Sequence, residues 1–306
     1  MVLPVAASSM TVGDVRLTMI ADGYHRCDPT RTFRGSTEAD WEAHPHLLDD
    51  RGRIVMTMGA LMAELPDGRR VLIDLGFGAR TVILEELGME FWGGRLLASL
   101  AGAGLTPGDI DVVVYSHVHA DHVGWTTDLA RDSLTFSRAR HVMSRSEWDH
   151  WADRPAAGGP SERDLAALGA RVDLVDGEAM VVPGITMVPT PGHTPGHCSF
   201  LVSSGNARAV ILGAAIHCPL QISHPEWAFA ADANPEAARR ARELLLRELD
   251  APDTVVVGPH FPDAVFGRVL AGTAFRQVAF DVAPPAAPQT IAPEAPPGEM
   301  VLPPLT

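Results

Sequence analysis

Apolar positions in this 306-residue chain come in short, β-branched runs broken by Gly, Pro and Asp. Such runs read as strands and the breaks as turns. Strands are predicted over 12–20, 54–64, 70–75, 112–115, 171–175, 179–188 and 254–257, with a strand pair within 134–143. Pro66-Asp67-Gly68 turns 54–64 into 70–75, and Ser204-Gly205-Asn206 turns 199–202 into 208–213, so both read as hairpins. Helical spacing appears at Thr81–Leu87, Leu96–Ala103, Ser146–Asp153 and Ser161–Leu168. The clearest helix opens at Asn234-Pro235-Glu236 and runs to Leu249, with Asn as N-cap and Pro at the first helical position. Residues 21–53 are polar and read as a long excursion with a short helix near Glu38–Ala43; Phe91-Trp92-Gly93-Gly94 reads as an aromatic loop. From about Ala283 the chain turns Pro/Ala-rich and lacks the apolar surface to order itself. One domain over 1–282 and a loose tail over 283–306 are therefore expected. The rhythm of strands and helices by itself allows α/β or α+β.

One stretch changes the picture. Ser116-His117-Val118-His119-Ala120-Asp121-His122-Val123-Gly124 places three imidazoles and a carboxylate directly after the apolar run 112–115. Residues two apart lie about 200° apart around a helix, so His117 and His119 would face opposite sides of one. At a strand end a loop can turn them inward together. Imidazole and carboxylate are the ligands of zinc-like divalent ions. Further histidines end other apolar runs: His193 and His197 in Thr190-Pro191-Gly192-His193-Thr194-Pro195-Gly196-His197, and His260 after Thr254–Val257. His25, His44 and His46 in the excursion, with His141 and His150, read as surface or structural residues.

His-x-His-x-Asp-His resembles the signature of the metallo-β-lactamase-fold hydrolases, and the resemblance extends over about residues 12–270. It implies a four-layer αββα sandwich with metals at one edge of two sheets. It also implies one ion held by His117, His119 and His193, and a second by Asp121, His122 and His260. His197 then supports the loop. Asp74, in a stretch that resembles the family's Asp-x-Gly element, would orient a ligand histidine. One or two zinc ions are implied, with iron or manganese as alternatives.

The chain departs from that family at one point. Two-metal members carry a bridging Asp at a strand end, and Ala214 of Ile211-Leu212-Gly213-Ala214-Ala215-Ile216-His217 stands there. A methyl group cannot ligate, and two close dications repel without the anion. Either Ala214 is natural and marks a one-metal or specialised enzyme, or it is an Asp→Ala change introduced to trap a ligand; the intact surroundings favour the second account. His217, three residues on, is placed to polarise a carbonyl or protonate a leaving group.

The formal charge of −14 and the absence of Lys/Arg runs argue against nucleic acid as a partner. Three widely spaced cysteines suggest no disulfide framework. No signal peptide or spanning segment is expected, so a cytoplasmic location and no membrane partner follow as expectations. No Gly-x-Ser-x-Gly elbow supports a covalent route. The expected chemistry is metal-dependent hydrolysis of a small, fairly apolar lactone or ester, with Asp121 placing the nucleophile. Trp92, Trp125, Leu220, Trp227, Phe261 and Met58 are the candidate walls. Thioester and phosphotriester hydrolysis, iron-dependent oxygen chemistry and a non-catalytic metal-binding role are the alternatives, and a homodimer stays open.

Overall fold

A computed structural model describes residues 8–280 except 86, 87, 157, 170, 263 and 272–275. The expected tail over 283–306 lies outside the described residues. Two large sheets face each other. In the first, Arg70–Ile73, Val112–Val114, Arg140–Ser144 and Val172–Val175 run parallel. Ile54–Glu64, Val15–Cys27, Met89–Trp92 and Thr81–Leu84 extend it antiparallel, and Ser9–Val12 folds back on Val15–Cys27. The second follows the order Ala179–Val182, Ile185–Pro189, Cys198–Ser204, Ala207–Ile211, Thr254–Val257, Phe266–Ala271, Arg276–Phe280. In it only Ala207–Ile211 and Thr254–Val257 pair in parallel.

Three apolar clusters define four layers. Leu17, Met19, Leu61, Val71 and Ile73 of the first sheet meet Ile185, Met187, Phe200, Val202 and Val257 of the second. Behind the first sheet, Leu72 and Val113 pack on Leu96, Leu100 and Leu168 of helices Leu96–Gly102 and Glu162–Gly169. Behind the second, Val210, Leu212 and Val256 pack on Leu245, Leu246 and Leu249. Those leucines form one stripe of helix Pro235–Leu249, whose cap is the expected one: the Asn234 side chain accepts from the Ala237 N–H. Each such side chain contributes about 1.5–3 kcal/mol on burial. The αββα sandwich implied by the motif is the observed fold.

Three expectations are corrected. The excursion begins later than predicted, because Val15–Cys27 continues through a bulge at Asp22. Its short helix, Glu38–Glu42, is present. Thr81–Leu84 is a strand, not a helix, and Phe91 and Trp92 belong to its partner Met89–Trp92. The β-branched Thr81, Val82 and Ile83 fit a pleated ribbon better than a helical turn. The strands Phe266–Ala271 and Arg276–Phe280 carry no alternation marked enough to predict.

Topology gathers the unusual residues at one edge. The parallel strands of the first sheet all end there, which puts Asp74, Ser116–His117 and Glu147 just past three neighbouring carboxyl ends. The parallel pair of the second sheet ends at the same edge with Ala214 and His260. Two backbone bonds stitch the sheets together there, Cys198 N–H to the Ser116 carbonyl (2.8 Å) and Thr57 N–H to the His260 carbonyl (3.3 Å).

Candidate metal centre

Six side chains converge in two groups at this edge. His117, His119 and His193 form one, and Asp121, His122 and His260 the other; within each, the ligand atoms lie within 4.8 Å of one another. His119 stands at the N-cap of the one-turn helix Ala120–Val123, which carries Asp121 and His122. In the first group His119 Nδ1 is 3.1 Å from His117 Nε2 and 2.9 Å from His193 Nε2. In the second, His122 Nε2 is 3.1 Å from His260 Nε2 and 3.4 Å from Asp121 Oδ2.

The far side of each ring decides what those nitrogens carry. His122 Nδ1 lies 2.9 Å from Asp74 Oδ2, His193 Nδ1 3.1 Å from Asp232 Oδ1 and His260 Nδ1 3.1 Å from the Thr57 carbonyl. His117 Nδ1 lies 3.0 Å from Ser116 Oγ, which itself donates to Asp74 Oδ2 at 2.7 Å. Each acceptor takes the Nδ1 proton, so the four Nε2 atoms present lone pairs. Lone pairs facing one another at about 3 Å repel unless a cation lies between them. Tetrahedral zinc, with Zn–N near 2.0–2.1 Å, sets donor atoms about 3.3–3.4 Å apart. The donor set and its spacing fit a zinc-like ion in each group.

For the first group the electrostatics agree. Burial, reinforced by neighbouring imidazoles, lowers His117 well below its ordinary value and brings His119 and His193 down to about 3. Neutral imidazoles are the ligating form. Burial likewise lowers His260. For His122 burial works the same way but Asp121 and Asp74 outweigh it, raising the ring to about 10, so in the metal-free centre this one imidazole holds a second proton that a cation in the second group would displace. Burial pulls Asp121 upward, yet His122 and its neighbours hold it far below the usual carboxylate range.

Asp74 thus touches both groups, directly at His122 and through Ser116 at His117. It adopts a left-handed backbone (φ 62°) to do so. His197 takes no place among the converging atoms. Its Nδ1 lies 2.9 Å from Thr190 Oγ1 and its Nε2 accepts the Ala214 N–H at 2.9 Å. Ala214 follows the left-handed Gly213, and its methyl is buried. His217 lies between the groups, its ring centroid 4.9 Å from His193 and 5.2 Å from His260. It stacks on Phe229 at 3.5 Å, and its Nδ1 has no partner among the described residues.

The six wall candidates scatter. Met58 packs with Phe77 and Ala120, against the helix of Asp121. Leu220 and Trp227 sit in the aromatic cluster that includes Phe229, behind His217. Trp92 is half-buried against Tyr24. Phe261 is buried under helix Pro235–Leu249, and the half-buried Trp125 donates its indole N–H to Asp22. Sequence patterning does not separate a core aromatic from a pocket aromatic.

Three acidic residues escaped the sequence reading. Asp232 orients His193 and pairs with the buried Arg242 at 3.3 Å. Glu147 accepts from Val118 N–H, Trp151 Nε1–H, Thr194 Oγ and Gly196 N–H, tying the motif loop to the His193 loop. Asp22 accepts six N–H groups, from Phe77, Gly78, Gly94, Arg95, Leu96 and Trp125.

The chain is similar to several known proteins. The chain is 32% identical over 171 residues to the N-acyl homoserine lactonase AttM of Agrobacterium fabrum, a match covering 53% of this chain and 62% of that protein. It is 25% identical over 118 residues to an N-acyl homoserine lactonase of Bacillus cereus, covering 39% and 43%. The matches thus span less than two thirds of these relatives' own length. In fold, the chain resembles AidC, a dizinc quorum-quenching lactonase solved with a product, at a TM-score of 0.75, with 23% identity and coverage of 91% and 98%. It also resembles a probable metal-dependent hydrolase from Staphylococcus aureus, at a TM-score of 0.76, with 22% identity and coverage of 90% and 100%. No helix among the described residues is long and apolar enough to cross a membrane. The sequence profile of the metallo-beta-lactamase superfamily matches residues 60–260, most of the chain and all six converging side chains, and the chain belongs to that superfamily.

Proposed function

We propose that the chain is a metal-dependent hydrolase of a small, fairly apolar lactone or ester. The observation that carries this is the set of imidazoles whose Nδ1 protons are anchored outward while their lone pairs meet. His117, His119 and His193 would hold one zinc ion, and Asp121, His122 and His260 another. A divalent ion there supplies Lewis acidity toward a carbonyl and acidifies water at neutral pH. The remaining work falls to the chain. Asp121, the most exposed of the second group, accepts a hydrogen bond from the attacking water and fixes its approach. His217, kept neutral by burial, offers Nδ1 to the carbonyl oxygen or to the departing alkoxide. Met58 and Phe77 exclude bulk water beside Asp121. Water adds across the acyl C–O bond, its hydroxyl to carbon and its proton to the ring oxygen, giving a hydroxy acid. The lactonases among the relatives support the lactone as substrate class.

Ala214 favours a second reading, a chain that binds metal without efficient hydrolysis. Without a bridging carboxylate a second ion would be held by Asp121, His122 and His260 alone, and charge repulsion would loosen it. Metal analysis and hydrolysis of N-hexanoyl homoserine lactone, for the chain and for Ala214→Asp, decide between the two. The hydrolase reading expects Ala214→Asp to raise both the second-ion content and the rate. Absence of hydrolysis by either chain, on this lactone and on simple esters, overturns it.

A further inference from the structure

One more histidine stands near the second ligand group, with a buried ring nitrogen that has no partner among the described residues. His25 lies on the strand Val15–Cys27, just past the bulge at Asp22, opposite Met56 on one side and Phe91 on the other. The bulge matters because an inserted residue re-aims the side chains that follow it. The six N–H groups around Asp22 fix it in place. His25 is 5% exposed, and its Nε2 is buried without a hydrogen-bond partner among the described residues. Its ring lies flat on Phe91, centroids 4.1 Å apart and planes 12° from parallel. Phe91 packs in turn on Phe77, at 5.5 Å, and against the Met58–Ala120 cluster next to Asp121. Met56, opposite His25, precedes Thr57, whose carbonyl lies 3.1 Å from His260 Nδ1, so the ring stands on the second group's side of the centre.

A buried polar nitrogen without a partner costs roughly 1–3 kcal/mol, so it persists in a fold only where something compensates. A core role would leave Nε2 bonded, as in His141, whose two nitrogens lie 3.0 Å from the Tyr115 hydroxyl and 3.0 Å from the Phe136 carbonyl. A ligand role is not indicated either, since His25 stands outside both converging groups.

We infer that His25 is a specificity-determining residue: its Nε2–H donates to the amide carbonyl of an acylated lactone whose ester bond lies at the metal centre. This rests on the lactonase reading above and adds to it the residue that reads the acyl amide. The site would take an N-acyl lactone, with the amide read by His25 and the chain beside it on the Phe91, Phe77 and Met58 surface. A plain alkyl lactone would satisfy the apolar surface but leave Nε2 unpaired. Discrimination by an unpaired buried group is larger than that by apolar fit alone.

The test measures binding, so that a slow chain still reports. Calorimetry on the zinc-loaded protein compares N-hexanoyl homoserine lactone with γ-decanolactone, an alkyl lactone without the amide. The chain should prefer the amide-bearing lactone, and His25→Phe should cut the ratio of affinities about tenfold. His25→Gln, which keeps a donor, should restore part of the ratio. Zinc content, measured in each variant, separates this from collapse of the centre. An unchanged ratio in His25→Phe overturns the role of His25 while leaving the hydrolase reading intact. So does an equal loss of both ligands with loss of zinc. Failure of the unsubstituted chain to bind either lactone overturns the inference and the lactone reading together, and hydrolysis of simple esters then shows whether a hydrolase remains.

Discussion

Asp74 shows how much one side chain can set at this centre. One of its oxygens takes the His122 proton, and the same atom takes the Ser116 hydroxyl that receives the proton of His117. Asp74→Asn keeps the shape but offers an amide N–H toward groups that are themselves donors. Outer partners of this kind are worth 10- to 100-fold in metal affinity. Competition with a chelator should therefore show both ions weakened in Asp74→Asn, by about that factor. Among the converging residues Asp232 touches only His193, so its orienting effect is confined to the first group. His217 makes a different kind of contribution. It hydrogen-bonds to neither set of converging atoms among the described residues, so His217→Gln should leave metal content as it is. Turnover of the lactone should fall about 100-fold, the usual scale for a positioned acid or base. Undiminished turnover removes His217 from the reaction, and lost metal makes it a structural residue.

Elements differ in how openly the sequence announced them. The six converging residues could be named in advance because His117–His122 is a local motif that resembles the family's signature, and because the same resemblance points to His193 and His260, each following an apolar run that reads as a strand. Helix Pro235–Leu249 was legible because cap, proline and stripe lie in one short stretch. Asp232 was not, since it meets His193 across 39 residues of chain and no local pattern marks an acceptor for an imidazole. Asp22 was hidden more deeply. Its partners lie 55 to 103 residues away, and in sequence it is one polar residue interrupting a strand. It nonetheless holds the bulge, the loop 77–78, the start of helix Leu96–Gly102 and Trp125 together. Asp22→Asn turns an amide toward donors that need an acceptor, and Asp22→Ala leaves them all unsatisfied. Breaking a buried charged network costs roughly 3–5 kcal/mol. Urea unfolding should show that loss for Asp22→Ala and a smaller one for Asp22→Asn. A change under about 1 kcal/mol in both would mean that water replaces the carboxylate.

At the scale of the whole molecule, the fold buries many imidazoles in neutral form, and that makes its stability a function of pH and of metal. Burial lowers His25 to about 4 and His119 and His193 to about 3, and it takes His117, His197 and His217 well below their ordinary value. Unfolded, each returns to about 6.5. Between the two values the unfolded chain binds more protons than the folded one. Stability is therefore fully present above about pH 6.5 and is lost as pH falls. Each such group contributes about 1.4 kcal/mol per pH unit. Several such groups acting in the same direction make the loss steep. His122, raised to about 10, acts in the opposite sense and only above pH 6.5. Chelator-treated protein should thus unfold cooperatively between about pH 6 and 4, followed by circular dichroism. Bound metal adds stability by mass action and must be displaced by protons first, so the loaded protein should unfold at lower pH. Metal-free protein as stable at pH 4.5 as at pH 7 would mean that its histidines reach solvent without unfolding, and the packed, neutral centre described above would not be the state in solution.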